Sequence, residues 1–322
     1  MACIQVCACT NPINNTGTDC QPLMEVITKL IFVRMIDDSG TRNFIDLTAT
    51  LNDAYFTAAL NNTDYSQRWF PTPAIKNVEN NREAPIYENF NDGTKLFIRE
   101  GVRSFTGKII GSDGSPITKA MMDSFRCSNM GVYAIDRLGN LIGIISSDGT
   151  QMFPIELDQQ SINGQFNFST DTTGQATTIS FDFSQNVNDS CLRMIAASEI
   201  TAATSLKDLR GLLDIYVDYT SPTATSVVVT ISKKWGTAKN PTKVTGLVVG
   251  DFASSVTGTT SRLRNVTDGA DVTITGVTES TTNKGTYTLT YASQTVTDVI
   301  QVYVKKNGFD GTGMIGETAV IA

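Results

Sequence analysis

The sequence predicts a mainly β chain: a C-terminal β-sandwich preceded by a β-barrel or β-sandwich body that carries short helical segments and a long extended loop. Three observations predict it. Short apolar runs are punctuated by Asn, Asp, Gly and Ser along most of the chain. Ile179, Phe181 and Phe183 alternate with Ser180 and Asp182, the period of a strand with one buried face. Residues 222–308 hold twenty Thr and no Cys, spread over regularly spaced alternating segments, a pattern that suits an antiparallel sandwich.

Residues 1–22, rich in Asn, Thr and Cys, read as an N-terminal arm. From Glu25 to Met35, β-branched and apolar residues dominate. Asp37-Asp38-Ser39-Gly40 is a turn and Phe44 to Leu47 a second strand. Asn52 to Leu60 predicts a short helix capped by Asn52 or Asp53. Trp69-Phe70-Pro71-Thr72-Pro73 is irregular, because its prolines suit neither a helix interior nor a central strand. Strands follow at Leu96–Ile98 and Phe105–Ile110. Ser115-Pro116 opens the clearest helix, with Pro at the first helical position, and Ile117, Met121 and Phe125 share one face. A β series follows at Gly131–Ile135, Leu141–Ser146, Met152–Leu157, Gly164–Ser169 and Thr177–Phe183. A short helix is predicted over Asn188–Glu199. Leu206 to Tyr219 stays ambiguous, closing on Ile215-Tyr-Val217-Asp-Tyr219.

Composition shifts at Ser221-Pro222. The predicted domains are therefore an arm at 1–22, an assembly body at 23–220, a sandwich at 221–308 and a Gly-rich tail at 309–322. Sandwich strands fall at Ser226–Ser232, Asp271–Val277, Thr286–Tyr291 and Asp298–Val304. Residues 222–308 carry nine Lys/Arg and five Asp/Glu, while the whole chain is −7, so the body is acidic and the sandwich mildly basic. An acidic body is a poor nucleic-acid binder, since phosphate affinity rests on Lys and Arg. It suits a surface that DNA slides past. Charged residues make up only 18 %, below the usual quarter, as expected where surface is mutually covered.

The chain has no histidine, which removes the Ser-His-Asp triad, the Cys-His pair and His-based zinc sites. No enzyme activity and no cofactor is expected. Cys3, Cys7, Cys9 and Cys20 form C-x3-C-x-C-x10-C. A one-residue gap strains chelation at one tetrahedral ion, so free thiols are the expectation and no metal site is assigned. Glu79, Glu83 and Glu88 form no acid/base pair on spacing alone. Lys108, Lys119 and Lys207 lack a phosphate-cradling Gly motif. Asp113-Gly114, Gly139-Asn140 and Ser147-Asp148-Gly149 are hairpin turns, with no match to a calcium loop. No run approaches the roughly 20 apolar residues of a membrane helix. The opening MACIQVCACTNPINN lacks a basic leader, so synthesis in the cytoplasm is expected. The Thr-rich sandwich reads either as a carbohydrate binder at its loops or as a passive surface module.

The stretch Asn81–Arg103, NREAPIYENFNDGTKLFIREGVR, is too charged for a core and too aromatic for an idle loop. It is expected to be an inter-subunit segment. Its interface candidates are Arg82, Glu83, Tyr87, Phe90, Phe97, Arg99, Glu100 and Arg103, with Trp69 and Phe70 anchoring a loop into a neighbouring surface. Mixed charges set register and partner choice. Each fully buried aromatic contributes roughly 2 to 3 kcal/mol.

The order of strand, extended charged loop, strand, short helix and β meander over roughly 24–220 resembles phage tail tube proteins. The residues carrying the resemblance are Arg82-Glu83-Ala84-Pro85, Phe97–Phe105, the Pro116–Arg126 helix, Gly131–Ile135, Ser147-Asp-Gly149 and Phe153-Pro-Ile155. The terminal sandwich, through Gly285–Tyr291 and Asp298–Val304, is similar to the immunoglobulin-like modules appended to phage virion proteins. It lacks the cysteines and core Trp of antibody domains, and the role of Trp235 is left open. The resemblance implies a tail-tube-like β-barrel or sandwich plus an Ig-like β-sandwich. It further implies copies of the chain in hexameric rings, stacked into a tube through which DNA passes unbound. The Ig-like module would face outward and other virion tail proteins would be partners, with no membrane. The chain would then reside in the virion. Rival expectations are a capsid decoration or baseplate component, and a carbohydrate-binding surface protein.

Overall fold

The computed structural model describes residues 23–187, 189–201, 205–237 and 240–322. The predicted arm at 1–22, with Cys3, Cys7, Cys9 and Cys20, lies outside the described residues, as does the side chain of Trp235. The fold is mainly β. It divides into two compact units at Gly211/Leu212.

Unit 1 contains, in order, β1 (Ile27–Arg34), β2 (Ile45–Asp46), α1 (Asp53–Leu60), β3 (Phe70–Pro71), β4 (Lys76–Arg82), β5 (Ile86–Asn89), β6 (Lys95–Arg99) and β7 (Arg103–Ile110). Then come α2 (Pro116–Phe125), β8 (Met130–Asp136), β9 (Leu141–Ile145), β10 (Gln151–Phe153), β11 (Ile155–Glu156), β12 (Asn163–Asn167), β13 (Ala176–Asp182) and β14 (Leu192–Ile195). One sheet runs β2-β10-β9-β8-β1-β3, with β11 on β8 and β14 on β9. A second sheet runs β12-β13-β7-β4.

Period-two alternation explains how the first sheet is buried on both faces. Leu30 and Phe32 of β1, with Val132 and Ala134 of β8, face a core shared with Phe105, Ile109, Ile179 and Phe181 of the second sheet. Ile31 and Val33, with Tyr133 and Ile135, face the other way, onto Phe56 and Leu60 of α1, Trp69, Leu206 and Leu209. Every residue of β8 is buried. Gly131 is needed there, since a Cβ would lie 2.4 Å from the Met35 sulfur. The first core is knitted by rings: Phe32 lies 5.0 Å from Phe125 and 5.9 Å from Phe181, and Phe105 stacks on Phe181 at 5.0 Å. Such pairs contribute about 0.5–1.5 kcal/mol beyond area burial.

Asn52 caps α1, its side chain accepting from the Tyr55 amide. In α2 the buried face is Thr118, Met122 and Phe125, with Met121 only partly buried. The face expected from Ile117 and Met121 is thus rotated by one residue, because Met122 is drawn against Gly164 of β12. Pro154 divides the expected Met152–Leu157 strand into β10 and β11, which pair with different neighbours. The helix expected over Asn188–Glu199 is instead a 3-10 turn at Asp189–Cys191, the strand β14 and a second 3-10 turn at Ala197–Glu199. Met194 and Ile195 are buried there, and β14 completes the ladder of β9. Tertiary pairing overrides the local helix preference.

Unit 2 begins before the composition shift. Its strands are β15 (Leu213–Thr220), β16 (Ser226–Thr237), β17 (Asn240–Lys243), β18 (Phe252–Ala253), β19 (Arg262–Asn265), β20 (Ala270–Glu279), β21 (Thr286–Tyr291), β22 (Val299–Gln301), β23 (Tyr303–Val304), β24 (Phe309–Asp310) and β25 (Ala319–Val320). β15, expected to close the first domain, pairs with β16 from Ile215↔Lys233 to Thr220↔Val228. The expected tail belongs to this unit too. β24 lies parallel to β15, β25 pairs with β22, and Met314 and Ile321 enter the core. Counted from Leu212, unit 2 holds nine Lys/Arg and nine Asp/Glu. The expected basic character vanishes, and unit 1 carries the whole net charge.

β20 is the corner of unit 2. Its first half pairs with β19 and its second with β21, with a register shift between Ile274 and Gly276. A bulge of this kind bends a strand, and the sheet curls around one core containing Tyr287, Phe252, Val229 and Leu263.

Candidate functional site

The predicted inter-subunit stretch is a long β-hairpin. Its lower half is β4 against β7, ending in the register pair Arg82↔Arg103. The Glu83 amide donates to the Val102 carbonyl at 2.9 Å, and a Cβ on Gly101 would lie 2.0 Å from the Glu83 carbonyl oxygen. Only glycine fits that close approach. Pro85, which has no N–H to donate, marks the step to the upper half, β5 against β6.

The turn follows from its residues. Asn91-Asp92-Gly93 joins β5 to β6, and Gly93 takes φ +85°, the three-residue hairpin loop with a left-handed glycine. Asp92 accepts from the Thr94 hydroxyl at 2.6 Å and the Thr94 amide at 2.9 Å. These bonds, the hydroxyl first, hold its carboxyl below the usual range.

The upper half is exposed throughout. Along the regular part of β6, Lys95 and Phe97 point to one face and Leu96 to the other. A register shift follows, after which Arg99 pairs with Ile86 and lines a recess together with Phe97. Register places Tyr87 beside Phe97 and Glu88 beside Leu96. The Tyr87 and Phe97 rings meet edge to face at 5.7 Å. One face is therefore basic and aromatic, the other acidic and aliphatic. Both stand in solvent: Phe97 is 49 % exposed, Leu96 53 % and Ile98 54 %. A lone two-stranded hairpin is marginal in water, and its apolar side chains are only about half covered by the described residues of their own chain.

At the root of the basic face lies an open recess of about 480 Å³ whose walls include Phe97, Arg99, Arg103, Phe183 and Asp189. Asp189 pairs with Arg82 at 2.7 Å and with Arg103 at 3.1 Å. The Arg103 guanidinium also donates to Asn80 at 3.1 Å and stands 5.2 Å from the Phe183 ring centroid. Arg99 makes no ion pair among the described residues.

Of the ten predicted interface residues, all but Trp69 and Phe70 lie on this hairpin or at its root. Arg82 and Arg103 serve its internal architecture through Asp189. Glu83 lies at the step, Phe90 at the tip, and Arg99 and Glu100 at the recess. Trp69 is a correction. It is buried within unit 1, 5.8 Å from Phe56 and 5.6 Å from Tyr133. Phe70 is half-buried against Phe125 at 5.5 Å. Both anchor their loop into this chain's own core, Trp69 fully and Phe70 in part. Asp189 and Phe183 were missed by the sequence reading. The facing of two arginines demands a counter-charge, but only the topology reveals which carboxylate supplies it.

Glu79, Glu83 and Glu88 are strung along the hairpin, with Glu79 paired to Thr106. No group of three or more His, Cys, Asp or Glu is placed to hold a metal among the described residues. No helix among them is long and apolar enough to cross a membrane. The most perturbed amine is Lys29, whose Nζ donates to the carbonyls of Lys207 and Leu209. Burial, followed by Arg210, lowers it to about 8 against the pull of Asp208 and Asp113. It fastens β1 to the 206–209 segment. On the Thr-rich exterior of unit 2, Thr230 meets Thr286 at 3.1 Å and Thr275 meets Thr290 at 3.2 Å, so these hydroxyls bond one another.

No protein-family model matches this chain, and no curated protein matches it.

Proposed function

We propose that this chain is a structural, self-assembling virion protein, a subunit of a phage tail tube. Copies join into rings, hexameric as the resemblance implies, and the rings stack into a tube that DNA traverses. Unit 2 is an appended module of the Ig-like kind. The observation that carries this reading is the hairpin, exposed along β5 and β6, whose apolar side chains are only about half covered by the described residues of their own chain. The net charge of −7 on residues 1–211 supports it, because an acidic lumen lets DNA slide without adhering. Repetition around a ring turns modest contacts into a stable assembly.

Negative-stain microscopy and sedimentation of the purified full chain, over a range of concentrations, test the proposal. Rings or tubes are expected. A monodisperse monomer at the highest concentration overturns it, and a chain that binds capsid shells without polymerising points to decoration instead.

A further inference from the structure

We infer that the two faces of the hairpin are each other's partners: the basic face of one copy's arm packs on the acidic face of the next copy's arm. This rests on the self-assembly reading and names the contact that would drive it. The basic face carries Tyr87, Lys95 and Phe97, with Arg99 lining the recess beside Phe97 beyond a register shift, and the opposite face carries Glu88 and Leu96. Each face pairs an apolar surface with charge of one sign, and the signs are opposite. A second copy of the same arm therefore supplies both the apolar cover and the counter-charge.

The match is between different surfaces, so the contact is heterologous and repeats from copy to copy, closing a ring or continuing as a filament. An arm cannot satisfy itself, because its two faces point in opposite directions. From Glu83 to Phe90 the chain spans about 25 Å at strand rise, enough to lie across a neighbour. The recess at the root adjoins the basic face and sets Arg82, Arg99 and Arg103 against Glu100 and Asp189. Its Arg99 makes no ion pair among the described residues, while Arg82 and Arg103 are held by Asp189. Glu88 of the incoming arm is the carboxylate that would meet Arg99. Opposite charge at this contact selects partner and direction, and the aliphatic and aromatic side chains supply the buried area.

The test uses the full chain and the single variants Glu88→Arg and Arg99→Glu, read by sedimentation velocity and microscopy. Both residues are exposed, so unchanged circular dichroism and thermal unfolding are expected. Each single variant should raise the concentration needed for assembly about tenfold or more. Mixing the two variants, or combining both changes in one chain, should restore it. Leu96→Ser and Phe97→Ser provide a charge-neutral check and should each weaken assembly. If the wild type assembles and both charge variants assemble equally well, the face-to-face contact is wrong while the self-assembly reading stands. Loss in each single variant without restoration in the mixture also overturns the pairing. A wild type that never assembles overturns both.

Discussion

Arg82 and Arg103 stand directly opposite each other as the last register pair of β4 and β7, and Asp189 takes an ion pair from each. Like charges facing across strands destabilise a ladder. Here a third residue, 86 positions from Arg103 in sequence, changes the sign of the interaction. The arm therefore leaves the body at a clamped root.

Asp189→Asn should loosen that root. Asp189 is 45 % exposed and its two arginines 37 % and 27 %, so the global cost should stay at about 1 kcal/mol or below. The local effect should be larger: faster amide hydrogen exchange through 82–86 and 99–103, with the cores of both units unchanged. Unaltered exchange in the arm would show that the clamp does not order it.

Gly101→Ala should do more damage at the same place. The new Cβ would fall 2.0 Å from the Glu83 carbonyl oxygen and 2.9 Å from that of Ala84, both backbone atoms. The strands must then part, so the arm should change direction or fray while unit 1 keeps its melting transition. Limited proteolysis within 83–102 that matches the wild type would refute this.

Much of the fold was legible from local pattern. Alternation at Ile179, Phe181 and Phe183 identified β13, and Ser115-Pro116 identified α2. The misplaced features share one cause: they depend on pairing between distant segments. Leu192–Ile195 is a strand because β9 offers it an edge. Leu213–Thr220 belongs with β16 although composition changes only after it. The arm was legible as a segment of mixed charge and aromatics, but its two opposed faces required the register. Trp69 beside prolines looked like a surface anchor, and only the core shows where the ring goes.

Trp69→Ala tests that correction. A buried indole wedged between Phe56 and Tyr133 should leave a cavity costing about 3–5 kcal/mol. Denaturant unfolding of unit 1 reads the loss. If Trp69 were an interface residue, stability of the unassembled chain would scarcely move.

Acid should weaken unit 1 in a defined window. Asp37 is lowered to about 2 by donors from Ser39, Thr41 and Gln67, and Asp148 to about 2 by Ser146 and Thr150. Both are ionised in the folded chain at pH values where the unfolded chain has begun to take up protons. Their contribution is complete above about pH 4 and is lost as the pH falls toward 2. Denaturation midpoints measured from pH 6 to 2 should fall in that window, and Asp37→Asn should flatten the fall.

Alkali should weaken unit 2 through its tyrosines. Tyr219 accepts the Val302 amide at 2.8 Å, and Tyr291 donates to the Thr223 carbonyl at 2.8 Å. Burial raises both hydroxyls, Tyr291 to about 12. Above about pH 10 the unfolded chain releases these protons while the folded chain keeps them, so stability falls as pH rises. Tyrosinate absorbance should therefore appear in two stages, exposed residues first and the buried set together with unfolding. Tyr219→Phe adds a second reading. It leaves the buried Val302 amide without its acceptor, a loss of about 1–3 kcal/mol near neutral pH, and it should also make the alkaline decline shallower. A variant as stable as the wild type, with the same alkaline profile, would mean that this hydroxyl does not bind the strands of unit 2 together.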